Sequence, residues 1–314
     1  MVDPDIDAHR LIVLVGPTGS GKTKMVEGLA AQFPVEAVCL DAMQLYRELE
    51  LGTASPNEAE RSVCPHHLFG AFSVREPLTV ASYKKACLEK VAEIQARGNL
   101  PLLVGGTGMY LRFLFEDLAG LPKTPAPLRA RVDQIHARLG SQRTHQMLAR
   151  LDPQAAARLH PNDQQRIKRF LEVRILTGKS VVDIWADQKP GATQWPIGIG
   201  LAMDKSVLWQ RLQVRLEAML HGGWWQEAKA LRDAGLRPDV EALGPIGYAS
   251  LFEALDSPMD AGKVFERIYI QTRQYAKRQM TLFRRFPYIE WFTYHQPSGY
   301  NSSELLAFVQ SRLT

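Results

Sequence analysis

Eight residues near the start constrain this chain more than any others: Gly16-Pro17-Thr18-Gly19-Ser20-Gly21-Lys22-Thr23. Glycine, four residues, glycine, lysine and then serine or threonine is the pattern of a phosphate-binding loop. Such a loop works between a buried strand and the start of a helix, and both flanks read that way. Leu11-Ile12-Val13-Leu14-Val15 is a continuous apolar run, as in a parallel strand covered on both faces. After Lys22, the residues Met25, Val26, Leu29 and Ala30 recur at helical spacing. The glycines let the backbone curl until successive N–H groups point at phosphate oxygens, and the helix N-terminus adds partial positive charge. Lys22 supplies a full charge, and the Thr23 hydroxyl can reach a Mg²⁺ ion or an oxygen. The stretch predicts a site for a di- or triphosphate.

The following strand ends fit a ligand crevice around that loop. Val35-Glu36-Ala37-Val38-Cys39-Leu40 reads as a second strand that ends at Asp41. In a doubly wound sheet the carboxyl ends of the strands border the crevice, so Asp41 is expected to face the loop. Asp41-Ala42-Met43-Gln44 then packs a carboxylate, a flexible apolar side chain and an amide into one turn. An aspartate after a strand ordinarily caps a helix. Beside a phosphate loop a chemical role is expected instead. Thr79 should cap a helix running through Ala96, and Pro101-Leu102-Leu103-Val104 should form a further buried strand. That strand leads into Gly105-Gly106-Thr107-Gly108 and a helix from Met109 to about Phe115, a second glycine-rich turn at the same edge.

Character changes at Leu121-Pro122-Lys123-Thr124-Pro125-Ala126-Pro127. From there the sequence predicts only helices: Leu128 to Leu139, Arg143 to Leu151, Pro153 to Leu159, Asp163 to Thr177 and Val181 to Ala186. Strand character returns at Pro196–Met203, so the reading is an α/β, P-loop NTPase-like parallel sheet flanked by helices, with an inserted all-helical subdomain. The core would be discontinuous, residues 1–120 and 196–314, and the insertion 121–195. Arg129, Arg166, Lys168 and Arg169 make the insertion basic. In the core, Arg211 and Arg215 share a helix face, Gly244-Pro245-Ile246-Gly247-Tyr248 forms a tight loop, and a helix from Val264 to about Phe286 mixes Arg267, Arg273, Lys277 and Arg278 with Tyr269 and Tyr275. Basic faces interleaved with aromatics suit nucleic-acid backbones and bases.

Composition is that of a globular protein, 46% hydrophobic and 23% charged, with no apolar run of membrane-spanning length. The net charge of +5 permits an acidic partner without requiring one. Three cysteines without paired metal-site spacing, and a polar start unlike a secretory leader, predict a cytoplasmic protein without a membrane partner. Cys64-Pro65-His66-His67 lacks a second ligand cluster and reads as a packed loop. At this level two functions fit the strand, loop, aspartate and basic insertion equally. One is a small-molecule kinase whose insertion is a lid. The other is an enzyme that holds a diphosphate while working on a nucleic acid.

The motif blocks together resemble the tRNA dimethylallyltransferases of bacterial type. The resemblance rests on the phosphate loop, Asp41-Ala42-Met43-Gln44-Leu45-Tyr46-Arg47, Gly52-Thr53-Ala54, Pro65-His66-His67-Leu68, Leu103-Val104-Gly105-Gly106-Thr107-Gly108-Met109-Tyr110, His160-Pro161-Asn162-Asp163 with Gln165-Arg166, and Thr272-Arg273-Gln274-Tyr275-Ala276-Lys277-Arg278-Gln279. It implies transfer of a dimethylallyl group from dimethylallyl diphosphate to N6 of the adenosine 3′ of a tRNA anticodon, by a monomer using Mg²⁺. Gly16 to Thr23 would then bind the diphosphate, with Thr23 toward the metal. Asp41 would be the base, and Thr23, Thr107 and Arg215 its catalytic companions. The tRNA would meet Asp41, Ala42, Met43, Gln44, Thr107, Arg129, Gln165, Arg166, Ile167, Lys168, Arg169, Gly244, Pro245, Ile246, Gly247, Tyr248 and Ala249, with Lys277 and Arg278 read as backbone contacts. The chain departs from the family pattern at Ala42, where serine is usual, at Glu48 for glycine, at Ser55 for lysine, and at Gly244-Pro245, where a basic residue is common.

Overall fold

The computed structural model describes residues 6–115, 121–186, 195–257, 259–294 and 302–314. The chain divides into two compact units, Met1–Phe115 with Thr193–Thr314, and Glu116–Ala192. The first unit begins with β1 (Ile12–Val15), α1 (Lys22–Ala30), β2 (Val35–Cys39), α2 (Glu58–Arg61), β3 (His66–His67), α3 (Val80–Ala96), β4 (Leu100–Gly105) and α4 (Gly108–Phe115). The second unit contains α5 (Ala126–Leu151), α6 (Pro153–Ala156), α7 (Gln164–Thr177) and α8 (Val181–Ala186), and no strand among its described residues. The first unit then resumes with β5 (Ile197–Met203), α9 (Lys205–Met219), α10 (Trp225–Asp233), α11 (Arg237–Leu243), α12 (Tyr248–Asp256), α13 (Ala261–Phe283), β6 (Ile289–Tyr294) and α14 (Ser302–Leu313).

All six strands form one parallel sheet in the order β3-β2-β4-β1-β5-β6. β1 sits between β4 and β5, with Val15 opposite Gly105 and Gly200. The apolar runs explain the inner strands: every residue of β1, β2 and β4 is buried. A sheet sandwiched between helices needs apolar side chains on both faces, and these segments supply them. Because all strands run the same way, the turns after β1, β2, β4 and β5 emerge at one edge. Asp41, Thr107 and the phosphate loop therefore share that edge.

The two strands missing from the sequence reading are the outermost. β3 has only two residues, and β6 is buried at its ends and partly exposed between them. Neither makes a continuous apolar run, because an edge strand needs none. In the second unit, one helical element spans both of the helices expected before Leu151, but Gly140 breaks it with φ 75° and ψ 172°. The unit has its own apolar centre, including Val132, Leu148, Ile167, Phe170, Leu171 and Val181.

Candidate active site

The loop after β1 curls as the motif requires. Gly19 and Gly21 adopt φ of 81° and 88°, the left-handed region that glycine enters without strain. The Lys22 ammonium donates to the carbonyls of Gly16 and Pro17 at 2.9 and 3.1 Å, folding back over the loop. Burial lowers its pKa to about 8, Asp41 opposes that shift, and Arg215 reinforces it. From α9, Arg211 donates to the Gly19 carbonyl at 3.1 Å, while Arg215 lines the cavity. Burial also lowers the pKa of Arg215, with Glu60 and Asp41 acting the other way.

Asp41 follows β2 and faces the same space. Its Oδ1 accepts from the Met43 N–H at 3.0 Å, so the aspartate caps its own turn and serves the cavity as well. Burial raises its pKa above the ordinary carboxylate value, against the pull of the Met43 amide and of Lys22. Thr107 accepts from the Ala42 N–H at 2.9 Å and donates its own N–H to the Leu40 carbonyl at 3.1 Å, tying the turns after β2 and β4 together. The paired glycines before it are there for close approach. A Cβ on Gly105 would stand 2.2 Å from the Leu40 carbonyl oxygen, and one on Gly106 2.2 Å from Gln279 Nε2.

These groups line one cavity of about 490 Å³. Thr18, Gly19, Gly21, Lys22, Thr23, Asp41, Ala42, Met43, Gln44, Thr107, Arg215, Gly244, Pro245, Ile246 and Arg278 all border it. Gly16, Pro17 and Ser20 of the phosphate loop are buried and do not border it. Gly247, Tyr248 and Ala249 border a second cavity of about 320 Å³, whose wall also includes Arg278. Lys277 is exposed on α13 and its ammonium lies 5.9 Å from the centre of the Trp209 ring. The remaining expected contacts belong to the second unit. There Arg129, Gln165 and Arg166 are exposed and Ile167 is buried. Lys168 pairs with Asp133 at 2.6 Å, and Arg169 is engaged by Glu172, Thr124 and the carbonyls of Leu121 and Pro122.

Sequence reasoning missed part of the cavity wall. Thr272, Tyr275 and Gln279 of α13 line it, and their spacing of three and four residues is the signal of one helix face. Gln279 is buried and bridges the two glycine-rich turns: Oε1 accepts from the Thr18 N–H at 2.9 Å, and Nε2 donates to the Gly106 carbonyl at 2.8 Å. Two of the departures from the pattern have local explanations. Glu48 accepts from the Ser73 hydroxyl at 2.7 Å and the Val74 N–H at 3.1 Å, while Ala42 needs only its backbone to reach Thr107. Near β3, His67 meets the buried Glu36 at 2.6 Å, and His66 meets the Cys64 carbonyl at 2.8 Å.

A phosphate loop that shares a cavity with a half-buried carboxylate still fits both readings left open by the motifs. The comparison with known proteins decides between them. The family model for IPP transferase matches residues 44–286. A tRNA dimethylallyltransferase of Paraburkholderia phytofirmans is 42% identical over 281 residues, 87% of this chain and 89% of the relative. The chain belongs to the IPP transferase family. A tRNA dimethylallyltransferase of Geobacter sulfurreducens is 35% identical over 299 residues, 95% of this chain and 96% of that one. Among solved structures, the full-length tRNA isopentenylpyrophosphate transferase of Bacillus halodurans matches with a TM-score of 0.69 and 32% identity over 96% of each chain. A eukaryotic dimethylallyltransferase described in crystallographic snapshots as acting on tRNA matches with a TM-score of 0.80 and 27% identity, over 95% of this chain and 77% of that one. Membership of a transferase family sets the kinase reading aside.

Proposed function

We propose that this chain transfers a dimethylallyl group from dimethylallyl diphosphate to N6 of the adenosine 3′ of the anticodon in tRNA, releasing diphosphate. Family membership supports the reaction. The observation that carries the assignment of residues is the meeting, in one cavity, of Lys22, Thr23 and Arg215 with the half-buried carboxylate of Asp41. Those are the two requirements of the reaction: a leaving anion must be held, and a weak nucleophile must lose a proton.

The diphosphate lies in the loop between Gly16 and Thr23. Gly19, Gly21, Lys22 and Thr23 border the cavity and would meet the diphosphate oxygens. As the carbon–oxygen bond of the donor breaks, its electron pair leaves with the diphosphate, and Lys22, Arg215 and the loop amides stabilise the growing charge. The N6 lone pair forms the new carbon–nitrogen bond to the same carbon. The proton it releases passes to the Asp41 carboxylate, whose negative charge Lys22 and Arg215 favour and burial opposes. Thr107 orients that turn through Ala42. An adenine can reach this depth only by leaving its stack, so the base is flipped out of the anticodon loop.

Mg²⁺ fits the donor set as a shared ion. The Thr23 hydroxyl borders the cavity and meets no acceptor among the described residues, and those residues contain no cluster of three metal-binding side chains. Mg²⁺ typically keeps several waters and binds mainly through substrate phosphates. Bound at Thr23, it would add charge beside the leaving diphosphate. For the tRNA, exposed Lys277, Arg278, Arg129, Gln165 and Arg166 are the proposed backbone contacts. The test is incubation with radiolabelled dimethylallyl diphosphate and unmodified tRNA, with γ-labelled ATP in parallel. Label should enter tRNA from the prenyl donor alone, and none should enter a tRNA with guanosine 3′ of the anticodon. Transfer from ATP, or prenylation of the guanosine tRNA, would overturn the reading.

A further inference from the structure

Glu227, on α10, does not border the cavity, yet its carboxylate gathers hydrogen bonds from a loop that does and from Tyr248 at the start of α12. Oε2 accepts from the N–H groups of Glu50 at 3.0 Å and Leu51 at 2.8 Å. Oε1 accepts from the Gly52 N–H at 3.1 Å and the Tyr248 hydroxyl at 2.5 Å. Three successive N–H groups turned to one carboxylate form a concave nest. The approach is close: a Cβ on Gly52 would stand 2.2 Å from Trp224 Nε1 and 2.4 Å from the Tyr248 hydroxyl. Any other residue at 52 would push the loop off the carboxylate.

The same loop orients a cavity residue. The carbonyls of Thr53 and Ala54 both accept from Gln44 Nε2, at 3.1 and 3.0 Å. Two acceptors on one side fix which end of the amide is nitrogen, so Oε1 is the end left for the cavity, and it has no partner among the described residues. Tyr248, the fourth donor, directly follows the loop whose Pro245 and Ile246 border the same cavity.

We propose that Glu227 is a positioning residue for the acceptor base: by locking the 50–54 loop, it makes Gln44 present an amide oxygen to the exocyclic amine of adenine. This rests on the reading above that adenine is the acceptor. An amine N–H complements that oxygen, whereas the carbonyl that guanine carries at the same ring position would meet it lone pair against lone pair. The carboxylate suits the task because both of its oxygens only accept, and all four neighbours donate.

The test is a double-mutant cycle between Glu227→Gln and Gln44→Ala, read as kcat/KM for tRNA, with KM for dimethylallyl diphosphate and thermal melting measured alongside. Glutamine nearly matches glutamate in shape but must turn its NH₂ toward N–H donors on one side of the nest. Glu227→Gln should lower kcat/KM for tRNA about tenfold, the cost of losing an aligned hydrogen-bonded group. KM for the donor should stay within about twofold, because the phosphate loop is untouched. The pair should lose no more than Gln44→Ala alone, since Glu227 acts through Gln44. Losses that multiply, or an unchanged kcat/KM in Glu227→Gln, would overturn the proposal. Should Glu227→Gln melt too early to assay, Tyr248→Phe removes one donor from the nest, and its cycle with Gln44→Ala is read the same way. A wild-type protein that transfers no prenyl group would instead overturn the functional reading. Active wild type with multiplying losses overturns this inference alone.

Discussion

Helices α7 and α13 look alike as sequence and differ as structure. Both are rich in arginine and lysine, and both read as surfaces for a polyanion. On α7, Lys168 is paired with Asp133, Arg169 with Glu172, and Arg166 more loosely with Asp163 at 3.6 Å. On α13, Arg273 lies 4.9 Å from the centre of the Trp209 ring, Lys277 lies over the same ring, and Arg278 borders the cavity. Among the described residues no carboxylate lies within ion-pair distance of these three. A cation already held by a carboxylate offers a second anion little, whereas one resting on a ring face keeps its charge for a ligand. Counting basic residues therefore overstates what α7 presents. The same distinction recurs at the cavity, where burial disfavours the charge of Lys22 and Arg215, Asp41 favours it at both, and Glu60 favours it at Arg215 as well.

The largest effect is expected from removing the charge of Asp41. Asp41→Asn keeps size and can still cap its turn, but it has no useful affinity for a proton. Single-turnover prenyl transfer should fall by roughly 10²–10⁴, the range for a positioned general base, while tRNA affinity stays near normal. Near-normal chemistry in this variant would remove Asp41 from the mechanism and leave it as a cap.

Lys22 comes next. Its ammonium titrates at about 8 because burial disfavours the charged form. The charge is present below that pH and is lost as pH rises through it. In the absence of bound diphosphate, kcat/KM for the donor should decline above about pH 8 in the wild type. Lys22→Ala should cost ~100-fold or more at neutral pH, the size of one transition-state contact to the leaving group. Lys22→Arg, with a guanidinium that stays charged, should abolish the alkaline decline whatever its absolute rate. A decline that persists in Lys22→Arg would assign it to another group.

How much of this was legible beforehand follows from the physics of each part. The inner strands, the phosphate loop, Asp41 and Thr107 were readable because a buried parallel strand must be an apolar run and its end must turn at the ligand edge. β3 and β6 were not, because edge strands escape the demand for apolar side chains on both faces. Gln279 and Tyr275 sit on a helix whose basic residues drew attention to the opposite property, and nothing local says that a glutamine will bridge two turns over 170 positions away in the chain. Glu227 is less legible still, since its partners are backbone amides, which carry no sequence signature. The pairing of α7 was half legible: Glu172 lies three residues from Arg169, a helical neighbour, but Thr124 comes from the segment before α5 and Asp133 from α5 itself.

The contrast between the two helices sharpens in salt. Lys277→Ala and Arg278→Ala should each weaken tRNA binding and reduce the salt slope by about one unit, as one phosphate contact is lost. Lys168→Ala should leave the slope alone. Filter-binding titrations across salt concentrations measure all three. Equal slope changes on both helices would mean that tRNA displaces the α7 ion pairs, and the contrast would be broken.

The smallest effect on binding, and the most informative about α7, is expected at Arg169. Its guanidinium donates to Thr124 Oγ1, to Glu172 Oε2 at 3.2 Å, and to the carbonyls of Leu121 and Pro122 at 3.1 and 2.9 Å. Four acceptors around one planar fork leave little capacity for a phosphate. Glu172 is buried, and it also accepts from the Thr124 hydroxyl at 2.7 Å. Truncating Arg169 to alanine would therefore strand a buried carboxylate and free the 121–124 segment, at a cost of about 1–3 kcal/mol in local stability. Hydrogen exchange in the full-length chain should rise along residues 121–124 and the middle of α7, with the tRNA salt slope unchanged. Arg169→Lys should rescue little, because a single ammonium cannot match the spread of acceptors that the fork spans. Unchanged exchange together with a slope reduced by about one unit would return Arg169 to the tRNA surface and make α7 the equal of α13.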